Sequence, residues 1–146
     1  MSPEKPYARI CLFSSEKCEK GPFSDWKLDK YSEIKIMKFS NCGDLLLIAT
    51  SDNMIVLLDA FDGIEKYNLT SFINESSIIE CSFTPDTKYI VSGSEDGPVH
   101  VWSIDGQEIT QLKSHIEKVF FVKFSPTHCL LATGGRNIVW WLPDLR

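Results

Sequence analysis

Short apolar runs separated by turn signals recur along this chain. The clearest unit runs from Phe83 to Ser103. Thr84-Pro85-Asp86 is a turn signal and Tyr89-Ile90-Val91-Ser92 an apolar run. Ser94-Glu95-Asp96-Gly97-Pro98 is a second turn signal, followed by the alternating run Val99-His100-Val101-Trp102-Ser103. The pattern predicts two strands joined by a tight turn, with another strand arriving before Phe83. The same order recurs upstream, where Phe39-Ser40-Asn41-Cys42-Gly43-Asp44 leads into Leu45-Leu46-Leu47-Ile48-Ala49. It recurs downstream, where Phe124-Ser125-Pro126-Thr127 leads into Cys129-Leu130-Leu131-Ala132. Repetition at about forty residues with these signals marks a β-propeller blade.

The fold class expected is all-β: a partial propeller in one domain, with two complete four-stranded blades flanked by two incomplete ones. Residues 1–7 read as a flexible leader. Residues 8–28 supply two strands of an incomplete blade, Ala8 to Ser14 and Phe23 to Leu28. One blade spans 34–69, with strands Ile34 to Phe39, Leu45 to Ala49, Met54 to Asp59 and Ile64 to Leu69. The next spans 78–112, with strands Ile78 to Phe83, Tyr89 to Ser92, Val99 to Ser103 and Glu108 to Leu112. Asp62-Gly63 and Asp105-Gly106 sit at equivalent hairpins. The last unit, 119–142, has strands Val119 to Phe124, Cys129 to Thr133 and Ile138 to Leu142, and no fourth. The second strands are apolar without alternation, which requires both faces to be covered and suits blades stacked face to face. No connection is long enough to be the crossover helix of a parallel sheet.

Charge and cysteines narrow the function classes. The 146 residues carry a net charge of −5, so there is no global attraction to nucleic acid or to an anionic membrane. No apolar run is long enough for a membrane-spanning helix. The five cysteines, Cys11, Cys18, Cys42, Cys81 and Cys129, are odd in number and show no C-x-x-C pair. Neither a disulfide framework nor a structural zinc site is expected, but reduced, mostly buried thiols. Asn68-Leu69-Thr70 and Asn74-Glu75-Ser76 match the glycosylation pattern by chance on that reading.

The interval, the Phe-(Ser/Thr)-Pro turn, Ser92-Gly93-Ser94-Glu95-Asp96-Gly97 and Trp102 together resemble the WD-repeat family. The naming Trp-Asp dipeptide is absent, since Ser103 follows Trp102 and Leu142 follows Trp141. Lys20-Gly21-Pro22-Phe23, Leu58-Asp59-Ala60-Phe61, Gly93-Ser94-Glu95-Asp96-Gly97 and the ending Trp141-Leu142-Pro143 fall in order. They resemble the C-terminal half of one subfamily, the WD-repeat protein eighty-two type. Its members are scaffold subunits of the COMPASS histone methyltransferase and of a nuclear phosphatase and RNA 3′-end processing assembly. The resemblance implies a hydrogen-bonded structural network in each blade, drawn from Ser92, Asp96, Trp102, Asp52, His115, Thr133 and Trp141. Leu58 stands where the first complete blade should carry Trp.

No phosphate loop, nucleophile elbow or zinc-binding His pair is present. His100, His115 and His128 are scattered, and the inner strands supply no convergent acid or ligand set. No catalysis, cofactor or metal is therefore expected. Partner binding is expected at blade-edge turns, with Arg136 foremost, then Glu95, Asn53, Lys118 and Tyr31. The resemblance implies a nuclear, non-enzymatic scaffold whose partners are protein subunits of a histone methyltransferase or nuclear phosphatase complex, without direct contact to nucleic acid or membrane. The alternative is a truncated propeller that self-associates or pairs with another chain through its open edges, with no independent activity.

Overall fold

A computed structural model describes residues 8–28, 33–70, 79–113, 115 and 117–144. The expected leader over 1–7, Tyr31, the start of the strand at Ile78 and the Asn74 sequon lie outside the described residues. Among the described residues, thirteen strands and one turn of 3-10 helix at Cys18–Lys20 make up the regular structure.

The strands form four antiparallel sheets. β1 (Ala8–Leu12) pairs with β2 (Ser24–Leu28). β3 (Ile34–Phe39), β4 (Leu45–Thr50), β5 (Ile55–Asp59) and β6 (Glu65–Leu69) pair in sequence order. So do β7 (Cys81–Phe83), β8 (Tyr89–Ser92), β9 (Val99–Ser103) and β10 (Glu108–Leu112). The last sheet has three strands, β11 (Phe121–Phe124), β12 (Leu131–Gly134) and β13 (Ile138–Trp141). The fold is all-β, with two four-stranded sheets flanked by incomplete ones, as the sequence pattern implies.

The core lies between sheets. Alternate residues of β4 and β5 point to opposite faces. Leu47, Ala49, Ile55 and Leu57 pack against Cys81, Phe83, Ile90 and Trp102 of the following sheet. Leu46, Ile48, Val56 and Leu58 pack against Ala8 and Leu28 of the preceding one. Val91 and Val99 then meet Val119, Val122 and Leu131. This double coverage is why β4 reads as a continuous apolar run. It also accounts for Leu58 in the place expected for Trp: the residue is fully buried in the interface with β1 and β2.

Two inner strands start later than their apolar runs suggest. β7 begins at Cys81 and β11 at Phe121 because the backbone just before them bonds sideways. Glu80 N–H donates to the Phe120 carbonyl at 2.9 Å, and Val119 N–H to the Ser94 carbonyl at 2.9 Å. Those groups stitch neighbouring sheets together. Glu80 also joins all three inner strands, accepting from Lys38 Nζ at 2.6 Å and from Lys123 Nζ. Burial pulls the Glu80 carboxyl upward, but the two lysines outweigh it and hold the group below its ordinary value of 4.5.

The thiols depart from expectation. Of the four described, Cys81 alone is buried, and burial pushes its thiol up to about 12. Cys11 is half-buried, while Cys42 and Cys129 are exposed, because the turns that follow the inner strands carry them outward.

A repeated contact locks the outer rim. Trp26 of β2 covers Gly63, and Tyr67 of β6 covers Gly106. Both glycines sit in hairpins between the third and fourth strands of their sheets with positive φ, 70° and 86°. A Cβ at Gly106 would lie 2.8 Å from the Tyr67 ring. Gly106→Ala is therefore expected to destabilise the protein by about 1–3 kcal/mol, the cost of forcing a side chain into this conformation, read as a lower urea midpoint at unchanged m-value. For Glu80, the lowered carboxyl contributes stability that is present above pH 4.5 and lost as pH falls through the folded value. Glu80→Gln is expected to lower the melting temperature at pH 7 and to flatten its decline between pH 5 and 3; an unchanged acid slope would contradict this.

Candidate partner-binding site

The turns between second and third strands, and the links into the inner strands, gather at one end of the sheet stack. There a cavity of about 500 Å³ is lined by Glu95, Glu117, Lys118, Phe120, Gly135 and Arg136. Its position follows from the side-by-side bonding of the sheets. The Val119–Ser94 backbone bond brings the approach to β11 against the β8–β9 turn. Lys118 Nζ then pairs with Glu95 Oε2 at 3.1 Å, across the boundary between two sheets. Arg136, in the β12–β13 turn, pairs with Glu117 Oε1 at 3.1 Å. Its side chain remains 79% exposed. Exposed pairs of this kind are worth little to stability, so the guanidinium can exchange Glu117 for a carboxylate of a ligand at small cost. Phe120 adds an apolar side chain to the lining.

Three of the residues singled out in the sequence, Arg136, Glu95 and Lys118, thus line one cavity. Asn53 does not join them. It lies in the β4–β5 turn with φ of 62°, half-buried, and its conformation is what that turn requires. Tyr31 falls outside the described residues. Glu117 and Phe120 were not singled out. Glu117-Lys118 carries opposite charges just ahead of an inner strand, and that juxtaposition is the signal that could have found them.

The network residues fall into two arrangements. In the last sheet, His115 Nε2 lies 2.8 Å from Thr133 Oγ1, which accepts from Trp141 Nε1–H at 2.9 Å. These three residues form one hydrogen-bonded chain in the last sheet. In the sheet of β7–β10, Ser92 Oγ–H donates to the Gly93 carbonyl at 2.9 Å and Ser94 Oγ–H to Asp96. Trp102 is 1% exposed and stacks on His100, with ring centroids 5.5 Å apart. His100 Nδ1 meets Glu108 Oε1 at 2.8 Å, and Asp96 Oδ1 lies 4.0 Å from Nε2. Asp52 is exposed in the β4–β5 turn.

Among the described residues no group of His, Cys, Asp or Glu is arranged to hold a metal ion, and no helix is long and apolar enough to cross a membrane. The cavity places charged and apolar side chains together.

The family model described as WD domain, G-beta repeat matches residues 67–103 and 106–140. The chain is 39% identical over 139 residues to WD repeat-containing protein 82 of Drosophila melanogaster. The chain belongs to the WD-repeat family. Each WD repeat here begins on the outer strand of one sheet, β6 or β10, and ends on β9 or β13 of the next. The Drosophila alignment covers 92% of this chain and 44% of the relative. COMPASS component SWD2 of Saccharomyces cerevisiae is 23% identical, over 92% of this chain and 46% of the relative. The chain therefore spans about half the length of the curated relatives it matches. Among solved structures, the computationally designed Ika4 protein superimposes with a TM-score of 0.61 at 22% identity, covering 75% of this chain and 66% of that one. That likeness concerns the fold alone.

Thr133→Val should cost about 1–3 kcal/mol by leaving the half-buried Trp141 N–H without its acceptor, measured by chemical denaturation at pH 7. Burial pushes the His115 imidazole below its ordinary 6.5. The unfolded chain therefore binds this proton more readily, and stability should fall as pH drops below 6.5. His115→Gln is expected to remove that part of the decline.

Proposed function

We propose that this WD-repeat chain is a non-enzymatic scaffold that holds peptide segments of larger nuclear proteins within an assembly of the COMPASS histone lysine methyltransferase kind. The observation that carries the reading is similarity over 92% of the chain to both WD repeat-containing protein 82 and a yeast protein named as a COMPASS component. The cavity around Arg136 supports it. Arg is prominent at interface hot spots, and here it stands exposed in a cavity that includes an apolar side chain, with only a surface carboxylate to displace. On this reading the partners are subunits of a histone methyltransferase or nuclear phosphatase complex. The chain then acts in the nucleus, in chromatin modification and transcription, with no catalytic residues of its own.

A second reading, self-association, draws on the outer face of the last sheet. Phe121, Ile138 and Trp140 are 59%, 70% and 64% exposed there. Contiguous apolar surface of this kind marks an association site.

Affinity capture of the tagged chain from nuclear extract, read by mass spectrometry, tests the first reading. Methyltransferase or phosphatase-complex subunits should be recovered, and Arg136→Glu should lose them by about tenfold without changing the melting curve. Recovery of neither class would sink it. Light scattering tests the second: a dimeric mass that reverts to monomer in Trp140→Ala supports stacking, and a monomer at all concentrations rules it out.

A further inference from the structure

The turns between first and second strands gather at the end of the sheet stack opposite Arg136. They are built alike. Register pairs Phe39 with Leu46, Phe83 with Ile90 and Phe124 with Leu131, so the three turns have equal length. Asn41, Pro85 and Pro126 therefore hold equivalent positions. Asn41 Nδ2–H donates to the Pro85 carbonyl at 2.6 Å and ties its turn to the next one. Pro85 cannot repeat that bond toward Pro126, because its side chain has no donor. At this second boundary a cavity of about 470 Å³ stands between the β7–β8 and β11–β12 turns.

Its lining combines Pro85, Tyr89, Phe124 and Pro126 with a single carboxylate, Asp86, and among the described residues it includes no lysine or arginine. Thr84 Oγ1–H donates to Asp86 Oδ1 at 2.6 Å, and the Lys88 N–H donates to the same oxygen at 3.1 Å. These bonds hold the carboxyl below its ordinary 3.8, so it is ionised at neutral pH. They also fix it in place, while a carboxylate retains capacity for further donors. The surroundings share its sign. At this end the turns of the two complete sheets carry Asp44, Asp62, Asp86 and Asp105 against Lys88.

We propose that this cavity takes an arginine or lysine side chain from an extended basic segment of a partner protein. The prolines suit the aliphatic stem of such a residue. The rings of Tyr89 and Phe124 attract its cationic head, and Asp86 supplies the counter-charge. An acidic anchor would be repelled by the surrounding aspartates, and a neutral apolar one would strip water from Asp86 without replacing it. Pro85, Asp86, Tyr89 and Pro126 are all exposed, so a main chain can lie across the cavity while one side chain enters. The chemistry is opposite to that of the Arg136 cavity. Neither that cavity nor the methyltransferase reading is needed for this site to act.

The probe is a capped synthetic peptide of alternating alanine and arginine, titrated into the isotope-labelled full chain and followed by amide chemical shifts. Saturable shifts are expected in the β7–β8 and β11–β12 turns. The same peptide with citrulline for arginine keeps the shape and loses the charge, and should bind about tenfold more weakly. Asp86→Asn keeps an acceptor for Thr84 and Lys88, and should cause a loss of the same size. Pro85→Asn restores the donor that Asn41 supplies at the preceding boundary. It should close the seam onto the Pro126 carbonyl and abolish binding, with a melting temperature no lower than before. The proposal is overturned by shifts centred on Arg136 and Lys118, by equal binding of the citrulline peptide, or by undiminished binding to Asp86→Asn and Pro85→Asn. Absence of any shift at about 1 mM peptide overturns it as well.

Discussion

Everything in this chain depends on sheets packing face to face. β4 and β5 have no solvent side: Leu47, Ile48, Val56, Leu57 and Leu58 are all essentially buried. A single sheet of this composition would expose half of its apolar residues whichever way it turned. Fully burying one such side chain is worth about 1.5–3 kcal/mol, so several on each face are lost if either neighbour is absent. The stability of a blade is therefore largely the stability of its two interfaces, as in other arrays where each repeat contacts only its neighbours.

That dependence explains where polar groups are placed. Backbone groups left over at the inner ends of β7 and β11 bond across the interface, and Glu80 sits between two lysines from adjacent inner strands. At the outer rim, Trp26 and Tyr67 bridge each sheet to the hairpin glycine of the next. Inner and outer contacts fix the angle between sheets, while the apolar layer between them supplies the attraction. The Arg136 cavity is a product of the same geometry. The sideways bond from Val119 to Ser94 places Lys118 beside Glu95, so the rim residues of one repeat meet those of the next.

Strand positions and hairpins were legible because apolar runs alternate with Asp-Gly and Pro-containing turns, and both signals are local. The lack of alternation in Leu45 to Ala49 revealed double burial before any contact was known. Contacts between repeats were much less legible. That Trp26 touches Gly63 depends on the angle between two sheets. The late start of β7 depends on where Glu80 finds an acceptor. Exposure of Cys42 and Cys129 depends on which way the turns carry them. At the site, Arg136, Glu95 and Lys118 could be named from turn position alone, but their convergence required the neighbouring sheet, and Glu117 and Phe120 emerged only with it.

The offset between repeat and sheet is the final consequence of the packing. Because β6 and β10 open the matched repeats yet belong to the preceding sheets, each repeat is physically interlocked with the one before it. Among the described residues the sheets at the two ends of the series, β1–β2 and β11–β13, have two and three strands. Each packs one face on its neighbour, Ala8 and Leu28 against Leu46, Ile48, Val56 and Leu58, and Val122 and Leu131 against Val91 and Val99. Apolar side chains are exposed at both, Phe13 and Phe23 beside the first and Phe121, Ile138 and Trp140 on the last. The packing that buries both faces of β4 and β5 thus buries only one face of an end sheet, and the apolar residues left over there are the surface on which association would draw.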